Sequence, residues 1–135
     1  MLNSFIRAKN IECSSTVDLF EINRVTRQGR FVKSGASPSF VKRGSEVHKL
    51  QSKTVPIGIM RTFDAEELSV TLNKGDVCVM VSDGIVSSKQ DGKWLIGLLQ
   101  STSLPPSELA EEILREAKKK EGKKDDMSVI VTVIK

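Results

Sequence analysis

Two apolar runs near the C-terminal half, Val77 to Val81 and Val129 to Ile134, constrain this chain more than any other feature. Val77 to Val81 is apolar on both parities of a two-residue repeat, so it reads as a strand buried on both faces. Each run carries acid at its edge: the first continues as Ser82-Asp83-Gly84, and the second follows Lys124-Asp125-Asp126-Met127-Ser128. If the two strands are antiparallel neighbours, the end of one lies beside the start of the other and the carboxylates converge. Clustered hard oxygens of this kind suit magnesium, manganese or calcium. The competing reading is structural: Asp-Gly is a common turn dipeptide, and an Asp before a strand caps a loop through its own backbone.

Asp125 and Asp126 are adjacent, so in an extended segment their side chains face opposite ways and only one readily shares a centre with Asp83. Periodicity does not choose between them. Two carboxylates about 4 Å apart repel by roughly 4 kcal/mol at an effective dielectric near 20. A divalent cation offsets this directly; the alternatives are separation or uptake of a proton.

Composition removes several other classes. At 135 residues, 39% hydrophobic and 28% charged, the chain is a soluble, globular type with room for one small domain. No apolar run approaches the ~20 residues of a membrane span, and the N-terminus lacks the basic start and sustained apolar stretch of a secretory signal, so a cytoplasmic location is expected. Cys13 and Cys78 lie far apart with no CxxC, and His48 is the single histidine, which points neither to zinc nor to a disulfide scaffold. Cys78 reads as a small apolar residue within its strand, and His48 as a surface side chain. The net charge of +4 is mild and gathers in Lys118-Lys119-Lys120 and Lys123-Lys124. With five Phe, one Trp and no Tyr to stack on bases, nucleic acid is not an expected partner. Those lysines read as a solvated helix end that complements the helix dipole.

Along the chain, Leu2 to Ala8 has helical spacing, Thr16 to Ile22 reads as a strand, Gly29 as a turn, and Phe31 to Lys33 and Phe40 to Lys42 as further strands of a meander closing on Gly44. Leu68, Val70 and Leu72 alternate with polar residues, and Asn73 to Asp76 is a turn expected to make a hairpin with Val77 to Val81. A short helical segment is expected between Ser87 and Ser103. A clearer helix opens at Pro105-Pro106, presents Leu109, Ala110, Ile113, Leu114 and Ala117 on one face, and stops at Gly122.

The two acidic signatures resemble the last two acidic motifs of the metal-dependent serine/threonine protein phosphatases (PPM, or PP2C-like), in which one strand ends in Asp-Gly and a final strand follows Asp-(Asn/Asp)-Met-(Ser/Thr)-Val. Ser15-Thr16-Val17-Asp18-Leu19, Gly35-Ala36-Ser37-Pro38-Ser39-Phe40-Val41-Lys42-Arg43-Gly44, Pro56-Ile57-Gly58-Ile59 and Ser82-Asp83-Gly84-Ile85 are similar, in order and approximate spacing, to one branch of it, the phosphatase domain of the stage II sporulation protein E family. The match spans nearly the whole chain. The family's first acidic motif, an Asp-Gly-Met-Gly-containing turn, is not found in these residues, so the chain resembles the C-terminal half of such a domain.

This resemblance implies an α+β fold, a PP2C-like β-sandwich flanked by helices in α/β/β/α layers, with residues 1–135 as one partial domain. It implies a protein serine phosphatase in which two manganese or magnesium ions hold a bridging water for in-line attack on a phosphoserine or phosphothreonine. Asp83 and Asp125 match the metal-binding positions; Asp126, where many relatives have Asn, and Gly84, which lets the chain turn, match supporting positions. The implied substrate is a phosphorylated anti-sigma-factor antagonist acting in sporulation, and the implied site is the cytoplasmic face of the membrane at the division septum. The missing N-terminal half of the domain is an implied partner, with a homodimer left open, and this chain alone is expected to be inactive. A noncatalytic PP2C-like binding or assembly module is the alternative. The Gly35-to-Pro38 and Pro56-to-Gly58 blocks read first as packing turns and second as a substrate-facing or regulatory surface.

Overall fold

The computed structural model describes residues 17–51, 66–87, 90–121 and 126–135. These residues fall into two compact units. The first holds strands β1 (Val17–Ile22), β2 (Gln28–Ser34) and β5 (Glu66–Thr71) as an antiparallel sheet in the order β1-β2-β5. Asn23 builds the turn between β1 and β2: its side-chain oxygen accepts the N–H groups of Val25 and Thr26 at 2.9 and 3.0 Å, and Arg27 takes a φ of 60°. An Asn side chain that satisfies the backbone two and three residues on closes the turn early. Gly29, which the sequence placed in the turn, therefore lies inside β2 opposite Ile22. On one face of this sheet Phe20 and Phe31 stack with ring centroids 4.6 Å apart, and Leu68 lies opposite Phe31. The adjacent row across the same face is Asp18, Lys33 and Glu66. The wholly buried Lys33 ammonium lies 2.9 Å from Asp18; burial lowers its pKa, and this carboxylate only partly opposes the shift.

The second unit holds β3 (Ser39–Arg43), β4 (Glu46–Leu50), β6 (Val77–Val81) and β7 (Val129–Val133) in the order β4-β3-β6-β7, with helices α1 (Lys93–Ser101) and α2 (Pro106–Glu121). Phe40, Val79 and Val131 form one row across this sheet, with Val81 opposite Val129 beside it. Against that face pack Leu95 and Leu99 from α1 and Leu109, Ile113 and Ala117 from α2. Each fully buried Leu or Ile contributes about 2 kcal/mol by leaving water, so this layer is the main source of cohesion in the unit. The four-residue spacing of Leu109, Ile113 and Ala117 sets the buried stripe of α2, with Glu108 in its first turn and Lys118 to Lys120 in its last, as the dipole favours. α1 begins after Gly92, whose φ is 69°, while Lys42 from β3 donates to the Thr102 carbonyl at its other end.

The antiparallel pairing of β6 with β7 and both helices follow the sequence reading; two connections do not. The alternating pattern of β5 fixed a strand but not its partner. β5 pairs with β2 while β6 pairs with β3 and β7, so Asn73 to Asp76 carries the chain between sheets instead of closing a hairpin. Likewise β2 and β3 lie in different sheets, and the expected meander is broken at the buried Ala36-Ser37-Pro38 step, which favours its reading as packing. β4 was not expected at all, because its polar residues reflect an exposed edge strand; His48 on it is exposed, as anticipated. The Leu2-to-Ala8 helix, Cys13 and the Pro56-to-Gly58 block lie outside the described residues. Among the described residues no helix is long and apolar enough to cross a membrane.

Candidate metal centre

β6 lies between β3 and β7, antiparallel to both, so the exit of β6 and the entry of β7 are side by side. The register runs from Val77 opposite Val133 to Val81 opposite Val129, and one step further Ser82 faces Ser128. There the Ser82 N–H donates to the Ser128 carbonyl at 2.9 Å, and the Ser128 N–H donates to the Ser82 side-chain Oγ, also at 2.9 Å. Asp83 follows this closure by one residue, and Asp126 precedes it by two. Asp125 lies outside the described residues.

Past Ser82 the chain turns at once, with the Ile85 and Val86 N–H groups donating to the Ser82 carbonyl at 3.0 and 3.3 Å. Ile85 and Val86 are buried in the core, which pins the turn from below and leaves Asp83 exposed above it. Gly84 sits buried in that turn with a φ outside the left-handed region, so the bend is made without the conformational freedom that the sequence reading assigned to this glycine. On the facing segment Met127 packs against the core and Asp126 is exposed. Neither Asp83 nor Asp126 has a hydrogen-bond or ion-pair partner among the described residues. An exposed carboxylate at a strand edge, with no partner among the described residues, is a hard donor of the kind that fits manganese or magnesium. Among the described residues no three acidic, His or Cys side chains cluster.

Asp76, at the opposite end of β6, is of another kind, and the sequence reading took it only as part of a turn. It is buried, accepts the Asn73 N–H at 2.7 Å, and receives Arg43 from the end of β3 at 2.7 and 3.0 Å. Burial pushes its pKa up, but the Arg43 guanidinium, the Asn73 amide and the charges of Arg43 and His48 together hold it below the usual carboxylate value. The next residue but one, Cys78, is pushed up to about 11 by burial and by the Asp76 charge, which makes its thiol inert. The lysines at the end of α2 are engaged locally, Lys119 with Glu116 at 3.2 Å and Lys120 over the Trp94 ring at 5.9 Å, in keeping with a solvated helix end.

A sequence profile described as Stage II sporulation protein E (SpoIIE) matches residues 1–135, the full length of the chain. The chain belongs to the stage II sporulation protein E family. It is 34% identical to Stage II sporulation protein E of Bacillus subtilis over 98% of its own length and 17% of that protein's. The Mn-presoaked structure of the phosphatase domain of the cell fate determinant SpoIIE from Bacillus subtilis matches with a TM-score of 0.77 and 34% identity, covering 98% of this chain and 62% of that one. The α+β fold is thus that of a PP2C phosphatase domain. Phosphoserine phosphatase RsbU of Bacillus subtilis is 24% identical over 64% of this chain and 27% of its own. The chain therefore spans about a sixth of the sporulation protein and less than two thirds of the solved domain.

Proposed function

We propose that residues 1–135 form the C-terminal portion of a PP2C-like domain that hydrolyses phosphoserine or phosphothreonine on a protein. In this reading Asp83 and Asp125 are ligands of a divalent cation, manganese or magnesium, two ions in the complete site, while Asp126 and Gly84 support them. The observation that carries it is the Ser82–Ser128 closure, which sets the end of β6 against the start of β7 and leaves the Asp83 carboxylate exposed, with no partner among the described residues. Held there, such ions would supply positive charge at the phosphoryl group and lower the pKa of water toward neutrality. The chain's own part is to hold carboxylates at a fixed edge: the buried Ile85 and Val86 keep the Asp83 turn from moving, and Met127 does the same for the facing segment. The name of one relative, a phosphoserine phosphatase, supports a phosphoserine substrate; that the partner is a phosphorylated anti-sigma-factor antagonist, with the rest of the domain as structural partner and the cytoplasmic face of a septal membrane as the place of action, is carried over from the family resemblance.

The test is manganese-dependent release of phosphate from a phosphoserine protein by the complete domain to which this chain contributes. Asp83→Asn and Asp125→Asn are expected to abolish turnover, while Asp126→Asn, which keeps its hydrogen-bonding shape, costs about tenfold at most. An active Asp125→Asn beside a dead Asp126→Asn would move the ligand by one residue. Full activity in all three variants would end the metal reading, and an unmutated domain with no turnover at all would favour a noncatalytic binding module.

A further inference from the structure

In a regular antiparallel ladder a hydrogen-bonded pair exchanges two N–H to carbonyl bonds. The β6–β7 register makes Ser82 and Ser128 such a pair, in phase with Asp76 and Ile134 at the other end, where the Ile134 N–H donates to the Asp76 carbonyl at 2.8 Å. Only half of the ordinary exchange is present at Ser82. Its N–H reaches the Ser128 carbonyl, but its own carbonyl is turned away to accept Ile85 and Val86 N–H groups, which form the Asp83 turn. The Ser128 N–H is satisfied instead by the Ser82 hydroxyl oxygen at 2.9 Å. One residue thus holds both acidic segments: its carbonyl holds the turn that carries Asp83, and its hydroxyl replaces that carbonyl in the ladder to hold the segment that follows Asp126.

We propose that Ser82 is the positioning residue of the metal centre, its hydroxyl fixing the distance between the Asp83 turn and the Asp126 segment. This rests on the metal reading above and assigns Ser82 no contact with substrate or metal. The geometry restricts the position to residues with an oxygen on Cβ. Threonine meets that requirement; alanine does not, and valine has threonine's shape without its acceptor. Without the hydroxyl, the Ser128 N–H loses its partner unless the Ser82 carbonyl returns to the ladder and releases the turn.

Nuclear magnetic resonance on the isotope-labelled 135-residue chain tests this without turnover. Two readouts are followed for the wild type, Ser82→Ala, Ser82→Thr, Ser82→Val and Asp83→Asn: exchange of the Ser128 amide, and the manganese concentration that broadens the Gly84 and Met127 amides. Ser82→Ala and Ser82→Val should speed Ser128 exchange about fivefold, the loss of one net hydrogen bond. They should also raise the manganese concentration needed by about tenfold, as loss of a group that supports ligands does. Ser82→Thr should match the wild type on both counts. The Ile134 amide at the far end of the register reports whether the sheet is intact; if Ser82→Ala loses that protection too, the Thr and Val pair, equal in shape, decides. Unchanged manganese broadening in Ser82→Ala and Ser82→Val, whatever Ser128 does, overturns the positioning role. If that happens while Asp83→Asn still weakens broadening, the metal reading survives without it; if Asp83→Asn changes nothing, the metal reading fails and takes this inference with it.

Discussion

Strand β6 has an aspartate just before its first residue and another just after its serine exit, and the two live in opposite circumstances. Asp76 is buried, with Arg43 and the Asn73 amide filling its hydrogen-bonding positions. Asp83 is exposed, with no partner among the described residues, on a turn whose neighbours Ile85 and Val86 are buried. A buried carboxylate kept ionised by a guanidinium ties strands together and has nothing left to offer a ligand. An exposed carboxylate on a stiff support contributes little to folding and remains available for chemistry. What separates the two is the partner each is given, since residue type and strand are the same.

The largest effect expected from this contrast is on stability. Asp76→Ala should cost about 3 kcal/mol in denaturant unfolding, because it deprives Arg43 and the Asn73 N–H of their acceptor together. Asp83→Ala should stay within about 0.5 kcal/mol of the wild type. Comparable losses for the two would erase the distinction.

Two glycines sharpen it. Gly92 has a φ of 69°, and a Cβ there would lie 3.2 Å from the Phe40 ring and 3.4 Å from the Val86 side chain that underpins the Asp83 turn. Gly75, beside Asp76, has a φ of 93° but open space around the same position. Gly92→Ala should therefore destabilise by about 2 to 4 kcal/mol, combining strain with crowding, and Gly75→Ala by about 1 to 2 kcal/mol from strain alone. Thermal unfolding of the pair would show whether the packed floor of the acidic turn resists the added Cβ.

Acid tests Asp76 in a second way. The folded Asp76 carboxyl has a pKa below its unfolded value of 3.8. Its contribution is therefore fully present above the unfolded value and is lost as the pH falls through the folded one. Unfolding free energies measured from pH 5 downward should show this loss in the wild type and a shallower loss in Asp76→Asn.

The smallest expected signal is near silence. With its thiol at about 11 and its side chain buried, Cys78 should resist alkylation at pH 8 until the protein unfolds, as peptide mapping that distinguishes it from Cys13 would reveal.

Most of this contrast was half-legible in the sequence. The apolar parity of Val77 to Val81 identified a central strand, because burial on both faces is written in side-chain type, and the antiparallel register sets the exit of β6 beside the entry of β7. The partner of β5 was not legible, since the pattern of Leu68 and Val70 suits either sheet, and β4 was hidden by the polarity of an exposed edge. Asn23 did carry a usable signal, an Asx turn ahead of Gly29. Asp76 looked like any turn acid because its partner, Arg43, lies 33 residues away. Ser82 escaped notice because the work of its hydroxyl depends on which residue the register sets opposite it.

Manganese binding measured by electron paramagnetic resonance decides whether the two aspartates beside β6 divide structure from the proposed ligand binding. Titrating manganese into the wild-type chain, Asp83→Asn and Asp76→Asn at neutral pH should give weak binding for the wild type, in the millimolar range since the ligand set is partial. Asp83→Asn should weaken it at least about tenfold, as expected when a supporting group or more is lost, and Asp76→Asn, while folded, should leave it unchanged. Equal binding by the wild type and Asp83→Asn, or a loss confined to Asp76→Asn, would contradict that division.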